Sequence, residues 1–296
     1  MPELEKERLQ VVLPYELEHD IFELAARAFP GHASKLCTLS KYVQPWMESI
    51  IYETVVLELP LITTELFMRT FNSRPPSFFA KNVRRLYTTG VITIHDARRL
   101  LTACTGAVEV TCWVYPHALK DSLLSQLPTQ NLRRLSIPLE TLWGLSPFST
   151  EFTPALFPKL THLEIVNPQN INGAPQIHWD SLAALPSLTH LALGELFSAH
   201  FAFVEPLGVL LDRCPNLTRL VIITRCNAFV DELARSGVVS DERVVVIPEF
   251  NAPLNLAEYW DGVRKGGPEF WMLADATAGL RKCLTQDHLP TGDSSI

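Results

Sequence analysis

At 296 residues the chain carries 32 acidic against 25 basic side chains, a formal net charge of −7, with 47% hydrophobic and 19% charged residues. That balance belongs to an ordered globular protein rather than a disordered one. It argues against a general nucleic-acid binder, which needs a basic stripe, and no apolar run reaches the roughly 18 residues that cross a bilayer.

The first residues, Met1-Pro2-Glu3-Leu4-Glu5-Lys6, place acids where a secretory signal would place basic residues and then an apolar stretch. A cytoplasmic or nuclear location is therefore expected, without membrane attachment. Residues 1–53 read as a helical segment. Pro14 stands at a helix start, where its missing N–H costs nothing, and Leu17, Ile21, Leu24, Ala25 and Ala28 recur behind it at helical spacing up to Phe29-Pro30-Gly31. A second helical pattern runs through Ala33, Leu36, Cys37 and Leu39, and a third through Val43, Trp46, Met47, Ile50 and Ile51. The β-branched run Thr54-Val55-Val56-Leu57 predicts a first strand.

From there a signature of the form Leu-x-x-Leu-x-(Leu/Ile) recurs. It reads Leu132-Leu135-Ile137, Leu160-Leu163-Ile165, Leu188-Leu191-Leu193 and Leu217-Leu220-Ile222, with first positions 28, 28 and 29 residues apart. Weaker copies stand at Val83-Leu86, at Val108-Thr111-Trp113 and around Val244-Val246. Amphipathic stretches at 97–103, 118–127, 179–185, 203–211 and 229–234 lie between them, each followed by a turn with Pro, Gly or Asn. A fixed period of this length marks a leucine-rich-repeat solenoid. The expected fold is α/β, a curved parallel sheet inside and helices outside, over residues 54–248. Residues 249–296 lose the period. Leu256, Tyr259, Trp260 and Val263 predict one short helix, and Phe270, Trp271, Leu273, Ala274 and Leu280 another, ahead of a polar tail. These helices are expected to cap the last apolar layer of the array.

The helical segment carries a family resemblance. Leu13-Pro14-x-x-Leu17-x-x-x-Ile21-Phe22-x-Leu24, followed by Leu39-Ser40-Lys41 and Trp46, looks like an F-box. Joined to leucine-rich repeats, to Phe78-Phe79-Ala80 ahead of Val83-Arg84-Arg85-Leu86, and to Gly266-Gly267-x-x-Phe270-Trp271, it resembles the F-box-like repeat proteins of mushroom-forming fungi over nearly the whole chain. The motif departs in its last third, where Ile51-Tyr52 replace the usual Leu-Trp pair. The resemblance implies a substrate-binding subunit of a Skp1-cullin-F-box ubiquitin ligase. Leu13, Pro14, Leu17, Ile21 and Leu24 would face a Skp1-type adaptor, and the repeats would hold a protein partner. The other use of such helices is to cap the first repeat.

The pleat sends the third and fifth positions of each signature to the open, concave face of the sheet. The third positions are Arg85, Val110, Arg134, His162, His190 and Arg219, and the fifth Tyr87, Cys112, Ser136, Glu164, Ala192 and Val221. Arginine forks flanking two histidines suit a carboxylate or phosphate on a partner, which makes Arg85, Tyr87, Arg134, Ser136, His162, Glu164, His190 and Arg219 the expected partner-binding set. The alternative is an enzyme or small-molecule binder with a pocket on that face. Ser136, His162 and Glu164 resemble a hydrolase triad in composition alone, because no nucleophile elbow or oxyanion loop accompanies them. The six cysteines (Cys37, Cys104, Cys112, Cys214, Cys226, Cys283) have no C-x-x-C pair or zinc-like spacing, so reduced thiols, no metal and no cofactor are expected.

Overall fold

A computed structural model describes residues 13–29, 31–114, 122–144, 151–166, 168, 176–247, 262 and 270–286. The chain divides into two compact units, Met1–Glu53 and Thr54–Ile296.

The first unit holds α1 (Tyr15–Ala28), α2 (His32–Leu36) and α3 (Gln44–Ile51). Its core is a small cluster of Ala26, Ala33, Val43, Trp46 and Met47, with Phe22, Leu36, Cys37 and Ile50 packed against it. Trp46 organises it. Tyr15 and Tyr42 meet its ring edge-on with centroids 5.0 and 4.8 Å away, and its indole Nε1 donates to the Tyr15 hydroxyl at 3.1 Å. A buried tryptophan supplies much apolar area but needs a partner for its N–H, and Tyr15 provides both.

The second unit is α/β. Eight parallel strands form one sheet in sequence order: β1 (Thr54–Leu57), β2 (Arg85–Thr88), β3 (Glu109–Cys112), β4 (Arg134–Pro138), β5 (His162–Val166), β6 (His190–Leu193), β7 (Arg219–Ile223) and β8 (Val244–Ile247). Val55, Leu86, Val110, Leu135, Leu163, Leu191, Leu220 and Val244 pair across successive strands as one continuous row. All are buried in the main core, and each leucine contributes about 1.5–3 kcal/mol through burial. The connecting helices cover this face: α4 (Leu61–Ser73), α5 (Pro76–Asn82), α6 (Ile94–Ala103), α7 (Leu139–Trp143), α8 (Trp179–Ala183), α9 (Val204–Arg213) and α10 (Asn227–Arg235). Their buried residues, among them Phe79, Leu100, Leu142, Leu182, Leu210 and Phe229, join the same cluster as the leucine row.

A ladder of threonines ties successive strands together. The hydroxyls of Thr161, Thr189 and Thr218 donate to the carbonyls of Arg133, Thr161 and Thr189 at 2.9, 3.1 and 2.9 Å. Gly106, in the turn after α6, sits where a Cβ would lie 2.1 Å from the Ala80 carbonyl oxygen, so this turn admits only glycine without a backbone shift.

Three expectations change. In β3 the inward residues are Val110 and Cys112, in line with Leu86 and Thr88, so Glu109 and Thr111 face the other way in place of Val110 and Cys112. The weak copy is displaced by one residue, which reverses the faces of a whole strand; buried Ala107 takes the first position that Val108 was given. Two helices that periodicity did not single out, α4 and α5, fill the connection from β1 to β2, packing Phe67, Met68, Phe71 and Phe79 into the core. Finally, the C-terminal helix, α11 (Phe270–Gln286), does not close the end of the leucine core. Phe270, Trp271 and Ala274 pack with Ala192, Val221 and Ile223 in a separate cluster, on the sheet face opposite the connecting helices α4 to α10. The short helix expected around Leu256 and Val263, and residues 118–121 of the stretch 118–127, lie outside the described residues; the rest of that stretch holds a single 3-10 turn, Leu124–Gln126.

Candidate functional site

Two surfaces stand out, one on each unit. On α1, the helical stripe read from the sequence turns outward. Leu17, Ile21 and Leu24 are 51%, 55% and 75% exposed, and Leu13, just ahead of the helix, is exposed with Pro14. The face that packs is the aromatic one, with Tyr15, His19 and Phe22 on Trp46 and Ala26 in the core. Burying rings against Trp46 removes more apolar area from water than burying the leucines would. Among the described residues the aliphatic stripe is left as an exposed apolar strip.

The second surface is the sheet face opposite the leucine row. Its third-position row runs Thr54, Arg85, Glu109, Arg134, His162, His190, Arg219 across seven strands. Its fifth-position row runs Val56, Tyr87, Thr111, Ser136, Glu164, Ala192, Val221, Val245. This face is not the open one expected. Tyr87, Ser136 and Glu164 are 2%, 8% and 8% exposed, and Ala192, Val221 and Val245 are buried as well. Arg85, Arg134, His162, His190 and Arg219 are half-buried.

Over β2 to β4 the charges answer one another. The Glu109 carboxylate accepts the Tyr87 hydroxyl at 2.8 Å and lies 3.9 Å from Arg85 Nε and 3.6 Å from Arg134 Nη1. A polar relay runs deeper: Trp113 Nε1 donates to the Ser136 hydroxyl at 2.7 Å, and Ser136 donates to Glu164 Oε2 at 2.6 Å. Burial pushes the Glu164 carboxyl up to about 7, and the Ser136 bond only partly opposes it. Ser136 directs its proton at Glu164 and not at His162, so the three residues do not make the nucleophile–base–orienter geometry of a triad.

Over β5 to β7 the chemistry differs. The His162 and His190 rings are stacked, 4.1 Å apart and 8° from parallel. Each Nδ1 lies 2.8 Å from the hydroxyl of the preceding threonine, Thr161 or Thr189. Those hydroxyl protons already go to carbonyls, so the geometry assigns the donor role to Nδ1. Burial, then the His190 and Arg134 charges, push His162 down to about 3. His190 is lowered too, burial outweighing the pull of a carboxylate, Asp275. His162 is therefore neutral at pH 7. Trp271 of α11 meets them edge-on, its ring centred 5.1 Å from His162 and 5.6 Å from His190. Asp275, one turn later, lies 2.9 Å from Arg219 Nε and 3.6 Å from His190 Nε2.

Sequence reasoning missed Glu109, Thr111, Trp113, Trp271 and Asp275 on this face. The aromatic–acid spacing of Trp271 and Asp275 was the available signal for the last two. Among the described residues no group of three or more His, Cys, Asp or Glu side chains is placed to hold a metal. Burial pushes the Cys104 and Cys112 thiols up to about 12 and 11, away from nucleophilic character. Cavities of about 500 and 390 Å³ lie among the helices, the first lined by Phe71, Arg74, His95 and Arg99 and the second by Trp179, Glu205 and Arg213, neither on this sheet face. No helix of the described residues is long and apolar enough to cross a membrane. Compared with protein families, curated proteins and solved structures, the chain has no match.

Proposed function

We propose that this chain is a protein-recognition module: a leucine-rich-repeat solenoid whose N-terminal helices dock on a Skp1-type adaptor of a cullin ubiquitin ligase and whose sheet face, opposite the leucines, holds a protein substrate. The observation that carries the docking role is the apolar strip Leu17, Ile21, Leu24 on a helical unit that completes its own core with other residues. A strip at i, i+4 and i+7 is the pattern by which a helix engages a partner's groove. The in-register leucine row and the 28-residue spacing support the repeat reading. The test is a pull-down with purified Skp1-type adaptor. The chain is expected to bind, and Leu17→Asp is expected to abolish binding while leaving the melting temperature unchanged, because Leu17 is already half exposed to water. Absence of binding at tens of micromolar adaptor would reject the ligase role. The competing reading, a catalytic or small-molecule pocket on the sheet face, draws no support from a face where Ser136 bonds to Glu164 and a helix overlies both histidines.

A further inference from the structure

Helix α11 is seated as a ligand would be. One side of it, through Phe270, Trp271, Ala274 and Ala278, is buried, while Met272 and Leu273 on the other side are 60% and 49% exposed. The floor beneath has two parts. Ala192, Val221 and Ile223 form an apolar bed for the aromatic residues, and small Ala192 leaves room for a ring. Beside them, the stacked imidazoles meet the edge of Trp271, and Arg219 meets Asp275. A face meant only to be covered permanently is served best by aliphatic side chains. Charged and imidazole groups under a helix cost desolvation, and what they add is discrimination of register and partner. The cluster beneath α11 is also separate from the main core on the other side of the sheet, so lifting the helix leaves the leucine layer closed.

From this we infer that the face over β5 to β8 is a docking groove for a helical protein segment bearing an aromatic residue followed four positions later by a carboxylate, and that α11 is its resident occupant, displaced when such a segment binds. The inference rests on the reading of this sheet as a recognition surface, and it names the substrate feature recognised. Occupancy by the chain's own helix lowers the apparent affinity for a partner by the fraction of time the groove is open, which makes the helix a brake on premature capture.

The probe is a fluorescein-labelled synthetic peptide of residues 268–286, titrated into the full-length chain and followed by anisotropy. The Trp271→Ala/Asp275→Ala chain, whose own helix has lost its anchors, is expected to bind this peptide at least about tenfold more tightly than the parent. Adding Arg219→Glu to that chain should abolish binding, and a peptide carrying Asp275→Arg should restore it. Equal binding by parent and anchor variant would overturn the inference, as would binding insensitive to the Arg219 charge reversal. Concentration-dependent dimerisation of the anchor variant that excludes the peptide would assign the groove to a second copy and overturn it too. If the anchor variant fails to fold, hydrogen exchange on the parent chain decides. Amides of α11 that exchange by local opening, faster than those of β5 to β7 and faster still with peptide present, support the inference. Exchange of α11 only through global unfolding refutes it. None of these variants touches α1, so a failure here with intact adaptor binding rejects the displaceable helix alone, while lost adaptor binding rejects the ligase role alone.

Discussion

The two faces of the sheet are made from alternate residues of the same strands, yet they obey different rules. One presents a continuous row from Val55 to Val244, buried among aliphatic and aromatic residues of the connecting helices. The other presents arginines, an acid and two imidazoles, then a second row that is buried although it contains Tyr87, Ser136 and Glu164. An aliphatic side chain is satisfied by any aliphatic neighbour of suitable size. A buried polar group is satisfied only by a particular partner at hydrogen-bond distance. The leucine face therefore tolerates exchange of one aliphatic side chain for another, and the opposite face depends on particular polar pairs.

That contrast can be broken at measurable points. Leu163→Ala, in the middle of the row, should cost about 2–5 kcal/mol by urea unfolding, the range for a cavity in a close-packed core. A loss well under 1 kcal/mol would mean that the row is not the main source of stability. The opposite face should instead show itself through pH. Burial raises Glu164 from its ordinary 4.5 to about 7, so the folded chain keeps a proton that the unfolded chain releases between those values. This group's share of stability is full below about pH 4.5 and declines as pH rises towards 7. His162 acts the other way: lowered from 6.5 to about 3, it favours the folded state above pH 6.5, and its share is lost as pH falls towards 3. Glu164→Gln removes the first slope and leaves the second, so the variant should gain on the parent between pH 4.5 and pH 8 by something on the order of 3 kcal/mol. A stability difference that stays constant over that range would contradict the buried-carboxyl picture. The smallest effect belongs to the ladder between the two faces. Thr218→Val removes one hydroxyl bond to the Thr189 carbonyl, 2.9 Å long, and should cost about 1 kcal/mol in thermal or chemical unfolding.

Much of the strand placement was legible because the same apolar spacing recurs along the chain. Leu132-Leu135-Ile137 and its three successors each mark a strand, and the register of their second leucines agrees across β4 to β7. The candidate site was legible only in part. Arg134, His162, His190 and Arg219 do line up on one face, but Glu109, which joins Arg85 to Arg134, was placed on the wrong side of β3. The reason is local: Ala107, Val108, Val110 and Cys112 offer two apolar registers one residue apart, and no leucine decides between them. Cover was the larger gap. The burial of Tyr87 and Glu164 depends on what lies above the sheet, and Trp271 and Asp275 arrive there from about eighty residues beyond His190, a distance no local pattern spans.

By itself, then, the sequence determined where strands stand, which leucines of β4 to β7 make the row, and that the helical stretch gives way to strands after residue 53, because each follows from the spacing of apolar side chains along a local element. The tertiary structure decided which apolar face of α1 turns inward and which segment lies across the histidines. Those outcomes are competitions between surfaces distant in the chain, settled by the area each buries and the partners each polar group finds. Trp46 draws in the aromatic side of α1 and leaves Leu17, Ile21 and Leu24 to water. Phe270, Trp271 and Ala274, packed on Ala192, Val221 and Ile223, set α11 where the sequence pattern had left an open face.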